Sequence, residues 1–582
     1  MQKETNLEIQ TLLNSYLTGS LQPEDVVNTI FDKIERYKSH NIWISVVAKE
    51  DIFSQISEAK EKLANGKQLP LYGIPFAVKD NIDVANIPTT AACKEFAYVP
   101  AKNAEAVQQL LDAGAILIGK TNMDQFATGL VGTRSPYGAV KNAYNEEYIS
   151  GGSSSGSAVA VALGMVAFSL GTDTAGSGRI PAGFNNLVGL KPTYGAISTK
   201  GLVPACKSLD CISIFSNTID DAHSIFDWVA KTSEKQPLWS KKDTPLKVAI
   251  PNTASLYFEE ASGYQSLFTG AVERIVENFE VKPIALDLFS ETAKLLYNGP
   301  WIAERMAAID VFYFENAFKM NPVVRDIIGK ASNYNATATF KAMHQLEDLK
   351  KQADELLDSI DFMIVPTAPG IFTIDEIENN PIELNSKLGY YTNYVNLLGL
   401  CALAIPAGFT PKGIPFGLTL IAKGGKDKEL GQWAKEIQNT LASAPSNTKG
   451  YIDLAVAGLH KRNQPLVFQL TDLDAHYSYT TTTSPNYKMY LVDPNGKKKP
   501  GLIRVDNDKT GNAIEVEVWK IPVENLGKFL VQIPHPLGLG KVEIASGEWV
   551  QSFICEEYIT AFSDDISEFY SWENFLKNYQ PV

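Results

Sequence analysis

Cysteine is scarce: five residues in 582, none spaced as Cys-x-x-Cys, and Cys206 and Cys211 have no histidine neighbour. A disulfide framework and a thiolate zinc site are thereby excluded, and a reduced, cytoplasmic setting is expected. Long apolar runs are also lacking. The longest, about 14 residues at 158–171, is too short to span a bilayer, and the opening MQKETNLEIQTLL is charged, without the apolar core of a signal peptide. Positive charge is in deficit, 52 Lys and Arg against 66 Asp and Glu, for a net −14. With no basic tract to offset it, nucleic acid and membrane are not expected as partners. Histidine numbers six, and none falls between His40 and His223, so the usual base for a serine nucleophile is missing from that whole span.

That span nevertheless holds the most patterned part of the chain. Residues 151–157 read GGSSSGS and residues 171–179 read GTDTAGSGR, with the small, apolar SAVAVALGMVAFSLG between them. The pattern predicts a short buried helix ending near Gly164, followed by a buried strand that enters GTDT. Two serine clusters then stand at the two ends of one helix-strand unit. Upstream, LYGIPFAVKDNIDV at 71–84 predicts an apolar strand ending in Lys79, Asp80 and Asn81. A lysine at the end of a buried strand loses solvation, which favours its neutral form and moves it toward the range of a general base. The turn at 174–178 places glycines on both sides of Ser177, so the N–H groups of Thr174, Ala175, Gly176 and Ser177 can converge on one point as an oxyanion hole. Plainer readings exist for each residue: Ser177 as a small residue in a glycine turn, Ser153 as a helix cap that Ser154 or Ser155 would replace, Lys79 as a strand-end surface residue. Asp173 and Arg179 are expected to form an ion pair bracing the turn. A nucleotide cradle is rejected, because GxxxxGK[ST] is absent.

Lys79 in KDNI, GGSS at 151–154 and the second serine in GTDTAGS together resemble the amidase signature family over roughly residues 1–445. The resemblance implies that Lys79 is the base, Ser153 a relay in a cis-peptide geometry and Ser177 the nucleophile, with no metal or organic cofactor. It also implies an α/β fold, a mixed, largely parallel twisted sheet flanked by helices. The periodicity agrees: helices over 5–38, 51–65 and 103–113 and a strand at 115–119, then strands at 246–250, 361–366 and 415–422 separated by helical patterns at 263–279, 301–318 and 340–359. Residues 121–138 read as a long loop near the site.

Composition changes at 440–465, where SAPSNTKG and HKRNQP interrupt the periodicity. The division read from this is 1–445 for the first domain, 446–462 for a linker and 463–582 for a small α+β domain, with a turn at Pro494, Asn495 and Gly496. Two stretches are similar to allophanate hydrolases: LLYNGPWIAER at 295–305 together with the TAGSGR turn, and the segments KPGLIRV, AIEVEVWKIP and PHPLGLGKVEI of the last domain. That resemblance implies hydrolysis of allophanate, the second half of ATP-dependent urea breakdown, by a homodimer working after a separate urea carboxylase. Tyr297 and Arg305, with a backbone contact from Gly129, are the expected substrate contacts, since a guanidinium fork suits a carboxylate. In the alternative reading, Tyr297 packs in the core and Arg305 pairs with a carboxylate on its own helix. Where allophanate hydrolases carry apolar-Asn-His-Gln-Leu, this chain reads LVFQL at 466–470, with Phe468 at the histidine position, so the last domain is expected to be mainly structural or oligomeric, with any decarboxylation of the N-carboxycarbamate product spontaneous or carried by other residues such as His476. An amidase for another small carboxamide, the glutaminase subunit of an amidotransferase and a non-catalytic scaffold stay open as rivals.

Overall fold

The structure, a computed structural model, describes residues 6–230, 246–442, 451–492, 496, 498–505 and 510–578. The chain divides into two units, Met1–Ala442 and Ser443–Val582. Among the described residues no helix is long and apolar enough to cross a membrane.

The first unit is built on an eleven-stranded sheet: β1 (Trp43–Val46), β2 (Pro75–Lys79), β3 (Ile116–Thr121), β4 (Phe168–Asp173), β5 (Val188–Lys191), β6 (Cys211–Ser216), β7 (Lys247–Pro251), β8 (Glu280–Ile284), β9 (Phe362–Pro366), β10 (Cys401–Phe409) and β11 (Pro415–Ala422). Their order is β1-β3-β2-β4-β6-β5-β10-β11-β9-β7-β8. The sheet is mixed and flanked by helices, as the sequence implies, but parallel pairing is confined to two blocks, β3-β2-β4 and β9-β7-β8, and every other neighbouring pair is antiparallel. The expectation of a largely parallel sheet is corrected on this point. Strands β5, β6 and β11 are buried along their whole length as the parallel strands are, and burial on both faces leaves no alternation that would mark the direction of pairing.

The first parallel block positions the site. Strands β2, β3 and β4 are buried along their whole length, and being parallel they bring their carboxyl ends, Lys79, Thr121 and Asp173, to one edge of the sheet. The helix Ser155–Ala162 starts at that edge, packs on β2, β3, β4 and β6 and runs back; Gly164, at φ 65°, reverses the chain. Strand β4 then returns to the same edge, so GGSSSGS and GTDTAGSGR meet although they lie twenty residues apart. This close fit needs a helix without large side chains. The Gly156 N–H donates to Asn122 O at 2.9 Å, and a Cβ there would stand 2.8 Å from Asn122 N and inside the radius of Ile42 O.

The second unit holds an eight-stranded sheet: β12 (Tyr451–Val456), β13 (His476–Thr482), β14 (Tyr487–Val492), β15 (Lys499–Arg504), β16 (Glu515–Pro522), β17 (Leu537–Glu543), β18 (Trp549–Cys555) and β19 (Asp564–Asp565). With the helices Val523–Leu530 and Trp572–Asn578 this is the expected α+β domain. One boundary moves. Strand β12 lies inside the stretch read as a linker, because its buried Leu454, Ala455 and Val456 pair with β16 and β18; polar flanks hid a six-residue strand. Residues 443–450 and the turn residues Pro494 and Asn495 lie outside the described residues.

Gly156→Ala is expected to lower stability by about 1–3 kcal/mol through overpacking. Gly270→Ala, in the helix Tyr264–Asn278 with nothing near its added Cβ, should leave stability unchanged or raise it by up to about 1 kcal/mol. Thermal midpoints of the two variants test the pair, and equal midpoints would contradict it.

Candidate active site

Lys79 ends β2 and is fully buried. Its Nζ donates to three hydroxyls, Ser153 Oγ at 2.8 Å, Ser154 Oγ at 3.0 Å and Thr172 Oγ1 at 2.7 Å. Ser153 Oγ lies 3.0 Å from Ser177 Oγ, and the Gly152–Ser153 peptide is cis. Lys79, Ser153 and Ser177 therefore form one continuous hydrogen-bonded chain in which no histidine takes part. Burial pulls the Lys79 amine down to about 7; Asp124, Asp210 and Asp173 oppose the shift, and the positive charge of Arg305 adds to it. An amine in that range is neutral often enough to accept a proton near neutral pH, so the chain can carry the Ser177 proton through Ser153 to Lys79.

The turn after β4 is held from several sides. Arg179 bonds Asp173 in a fork, Nε to Oδ2 and Nη2 to Oδ1, both at 2.9 Å, which is the bracing ion pair expected from the sequence. Burial alone would raise the Asp173 carboxyl; Arg179 and the Gly178 N–H hold it below the usual carboxylate range. Asn396 donates to Asp173 O at 2.8 Å and Thr392 Oγ1 to Ala175 O at 2.7 Å. One expected oxyanion donor is corrected: the Gly176 N–H goes to Asp173 Oδ1 at 3.0 Å, because the aspartate that fixes the turn also folds back on it. The N–H groups of Thr174, Ala175 and Ser177 have no acceptor among the described residues. Three donors thus stand free at the turn that carries Ser177.

Tyr297 closes the helix Asp287–Asn298, Gly299 and Pro300 break the chain, and Arg305 sits in the helix Trp301–Asn316. The break brings the guanidinium over the Tyr297 ring, 5.5 Å from its centroid. Arg305 is 2% exposed, and its Nη1 donates to Thr128 Oγ1 at 3.1 Å and Ala127 O at 3.5 Å; Nε and Nη2 are buried without a partner. It makes no ion pair on its own helix. Neighbouring Glu304 instead accepts from Ser208, from N at 2.8 Å and Oγ at 2.7 Å. Gly129 follows Thr128 in the same loop, and a Cβ there would stand 2.6 Å from Asp124 Oδ2.

Sequence reasoning missed four residues that complete this arrangement. Thr172 and Ser154 share the Lys79 amine, and Asp124 accepts from the N–H groups of Val131, Gly132 and Arg134, at 3.1, 3.0 and 3.0 Å, tying the 129–134 loop beside Ser153. Asp210, which burial raises to about 6, accepts from Thr174 Oγ1 at 2.5 Å and the Cys206 N–H at 3.1 Å. Thr172 stands next to the end of the buried strand β4, inside the GTDT stretch that the sequence singles out. Nothing local marks the other three. Among the described residues no cluster of three or more histidine, cysteine, aspartate or glutamate side chains could hold a metal.

A buried lysine joined through one serine to a second serine, in a glycine-rich turn with free N–H groups, defines an amidohydrolase site. The chain belongs to the amidase family, which matches residues 25–430. Residues 452–577 match the allophanate hydrolase C-terminal domain. A urea amidolyase of Lachancea kluyveri is 41% identical over 96% of this chain and 32% of its own length, so the chain spans about a third of the curated relatives it matches first. The structure of an allophanate hydrolase of Kluyveromyces lactis superposes with a TM-score of 0.69 at 38% identity, over 98% of this chain and 99% of that one. A glutamyl-tRNA(Gln) amidotransferase polypeptide of Natranaerobius thermophilus is 30% identical over 73% of this chain and 93% of its own length.

On the reading that neutral Lys79 is the base, its value being lowered to about 7, ammonia release from a carboxamide should rise with pH through about 7 and fall below it. Lys79→Ala and Ser177→Ala should each abolish turnover with the fold intact, and Ser153→Ala should leave at most a trace. A profile flat from about pH 5 to 8 would remove Lys79 as the titrating base.

Proposed function

We propose that the chain hydrolyses allophanate, and the observation that carries this reading is the buried Arg305 guanidinium with two nitrogens that meet no acceptor among the described residues. A cation left so needs an anion from the ligand, and allophanate carries a carboxylate at the end opposite its reactive amide. Lys79 takes the Ser153 proton as Ser153 takes that of Ser177, and Ser177 Oγ attacks the carboxamide carbon. The N–H groups of Thr174, Ala175 and Ser177 hold the oxyanion. The C–N bond breaks, the proton returns from Lys79 through Ser153 to the departing ammonia, and a water activated along the same chain cleaves the acyl ester. The product, N-carboxycarbamate, loses carbon dioxide and then breaks down to ammonia and a second carbon dioxide. Allophanate would come from an ATP-dependent urea carboxylase acting upstream.

An amidotransferase glutaminase or another small-carboxamide amidase would use the same serines, and the amidotransferase relative, matched over 73% of this chain, supports that reading. Glutamine also carries a carboxylate away from its reactive amide, so Arg305 speaks only against an amidase for neutral amides, and what the glutaminase reading leaves unexplained is the match of residues 452–577 to the allophanate hydrolase C-terminal domain. Ammonia release from allophanate, glutamine and a simple aliphatic amide, measured side by side, separates the three. Arg305→Ala and Arg305→Lys are expected to raise the KM for allophanate by a loss of about 2–5 kcal/mol, with neutral amides hydrolysed no worse. An unchanged KM would remove the residue-level reason for this substrate.

The second unit is read as structural or oligomeric in this chain. Phe468 is half exposed in the helix Phe468–Thr471, and His476 is exposed at the start of β13, edge-on to Tyr451. His460 lies against Phe529 and Phe553, bonds Gln469 Oε1 at 2.8 Å and is lowered by burial to about 4. It is therefore neutral at physiological pH and a poor proton donor. Residues 1–445 alone should release carbon dioxide in step with ammonia, as the full chain does; ammonia release unchanged with decarboxylation strongly slowed would overturn the reading.

A further inference from the structure

Three oxygens surround the Lys79 amine, but the proton relay uses only one of them. Ser154 Oγ is committed on every side: its O–H donates to Thr172 O at 3.0 Å, and it accepts from the Thr172 N–H at 3.2 Å and from Lys79. Toward Lys79 it is an acceptor. Thr172 Oγ1, buried on β4, has the Lys79 amine as its only side-chain partner among the described residues, at 2.7 Å. A neutral amine has two N–H donors, whereas an ammonium has three and no acceptor. Three oxygens at 2.7–3.0 Å therefore match the ammonium one for one, and the cage fits the state of Lys79 after it has taken the proton better than the state before.

We infer that Thr172 is a positioning residue that supplies the third acceptor for the Lys79 ammonium formed when the serine proton is transferred. The inference rests on the reading of Lys79 as base and adds to it a residue that touches neither substrate nor Ser177. No atom beyond the relay changes hands: the proton leaving Ser153 forms an N–H bond on Lys79, and one N–H of the resulting ammonium points at Thr172 Oγ1. A hydrogen bond to a charged group in a dry site is stronger than one to a neutral group, so Thr172 acts on the proton-transferred state more than on the resting one. The charged groups felt by Lys79 are Asp124, Asp173 and Asp210 on the acidic side and Arg305 on the basic side. Thr172→Val leaves all four in place.

Thr172→Val keeps the shape of the side chain and removes the acceptor. With the ammonium less supported, Lys79 becomes a weaker base: the plateau kcat should fall about ten- to a hundredfold, and the acidic limb of the profile should move about one to two pH units lower. KM should stay within about threefold of the parent, since the binding groups are untouched. Thr172→Ser, which restores the oxygen, should recover both plateau and limb. Asp210, which titrates near 6, contributes equally to parent and variants, so the difference between profiles isolates Thr172. Should the valine variant be insoluble, Thr172→Ala carries the same comparison against Thr172→Ser. A valine or alanine variant with an unmoved limb, or a serine variant that recovers neither quantity, overturns the inference and leaves Thr172 a packing residue. Lys79→Met retaining turnover would instead overturn the reading of the base itself, so the two failures are distinguishable.

Discussion

The withdrawal of one amine from water governs the first unit. A lysine serves as a base near neutral pH only if its charged form is made costly, and complete burial does this for Lys79. Burial at a strand's end demands neighbouring strands on both sides and cover on both faces, which β3, β4 and the helix Ser155–Ala162 provide. The same helix must begin with hydroxyls and contain nothing large, because its first turn meets the amine and its body fills the space against the sheet. Small residues in GGSSSGSAVAVA satisfy both demands at once. The absence of histidine from this span fits the proposal that the base is a strand residue fixed by the sheet.

Buried carboxylates balance the site, and each has a structural task besides its charge. Asp124 gathers three N–H groups of the 129–134 loop, Asp173 holds Arg179 and the turn glycines, and Asp210 receives Thr174 and the Cys206 N–H. A carboxylate placed only to tune Lys79 would have to be desolvated for that purpose alone. Here the loops around the two serines supply the hydrogen bonds that make each acid tolerable, so charge balance and loop geometry are fixed by the same contacts. Asp173 shows the cost of this economy, since the carboxylate that fixes the turn takes the Gly176 N–H away from the convergent set.

Much of the first unit was legible because its signals are local. The Lys79 strand, the helix-strand unit between the serine clusters and the break at Gly299 and Pro300 are each written in a few consecutive residues, and the structure places them as read. The direction of strand pairing was not legible, because strands buried on both faces give the same apolar run in either direction. Strand β12 was missed because its six residues lie between polar stretches. Asp124, Asp210 and Ser154 were missed for a different reason: their roles depend on partners far along the chain or on a choice among adjacent serines, and one sequence holds no record of which side chains meet.

Arg305 carries the argument furthest from the fold toward the substrate. A guanidinium costs several kcal/mol to bury, on the order of the stability of a whole domain when nothing compensates it. Packing over Tyr297 and one bond to Thr128 Oγ1 return part of that, but they leave Nε and Nη2 facing no oxygen. If the side chain served only the core, Glu304 beside it would be the natural counter-charge, yet Glu304 turns to Ser208. A leucine or methionine of similar volume would fill the space at lower cost. Asp210 and Glu304 favour the charged guanidinium through space but do not occupy Nε and Nη2, so an anion there would complete the arrangement, and the same positive charge also helps to keep Lys79 neutral. On the proposed reading, substrate recognition and base activation draw on one buried charge.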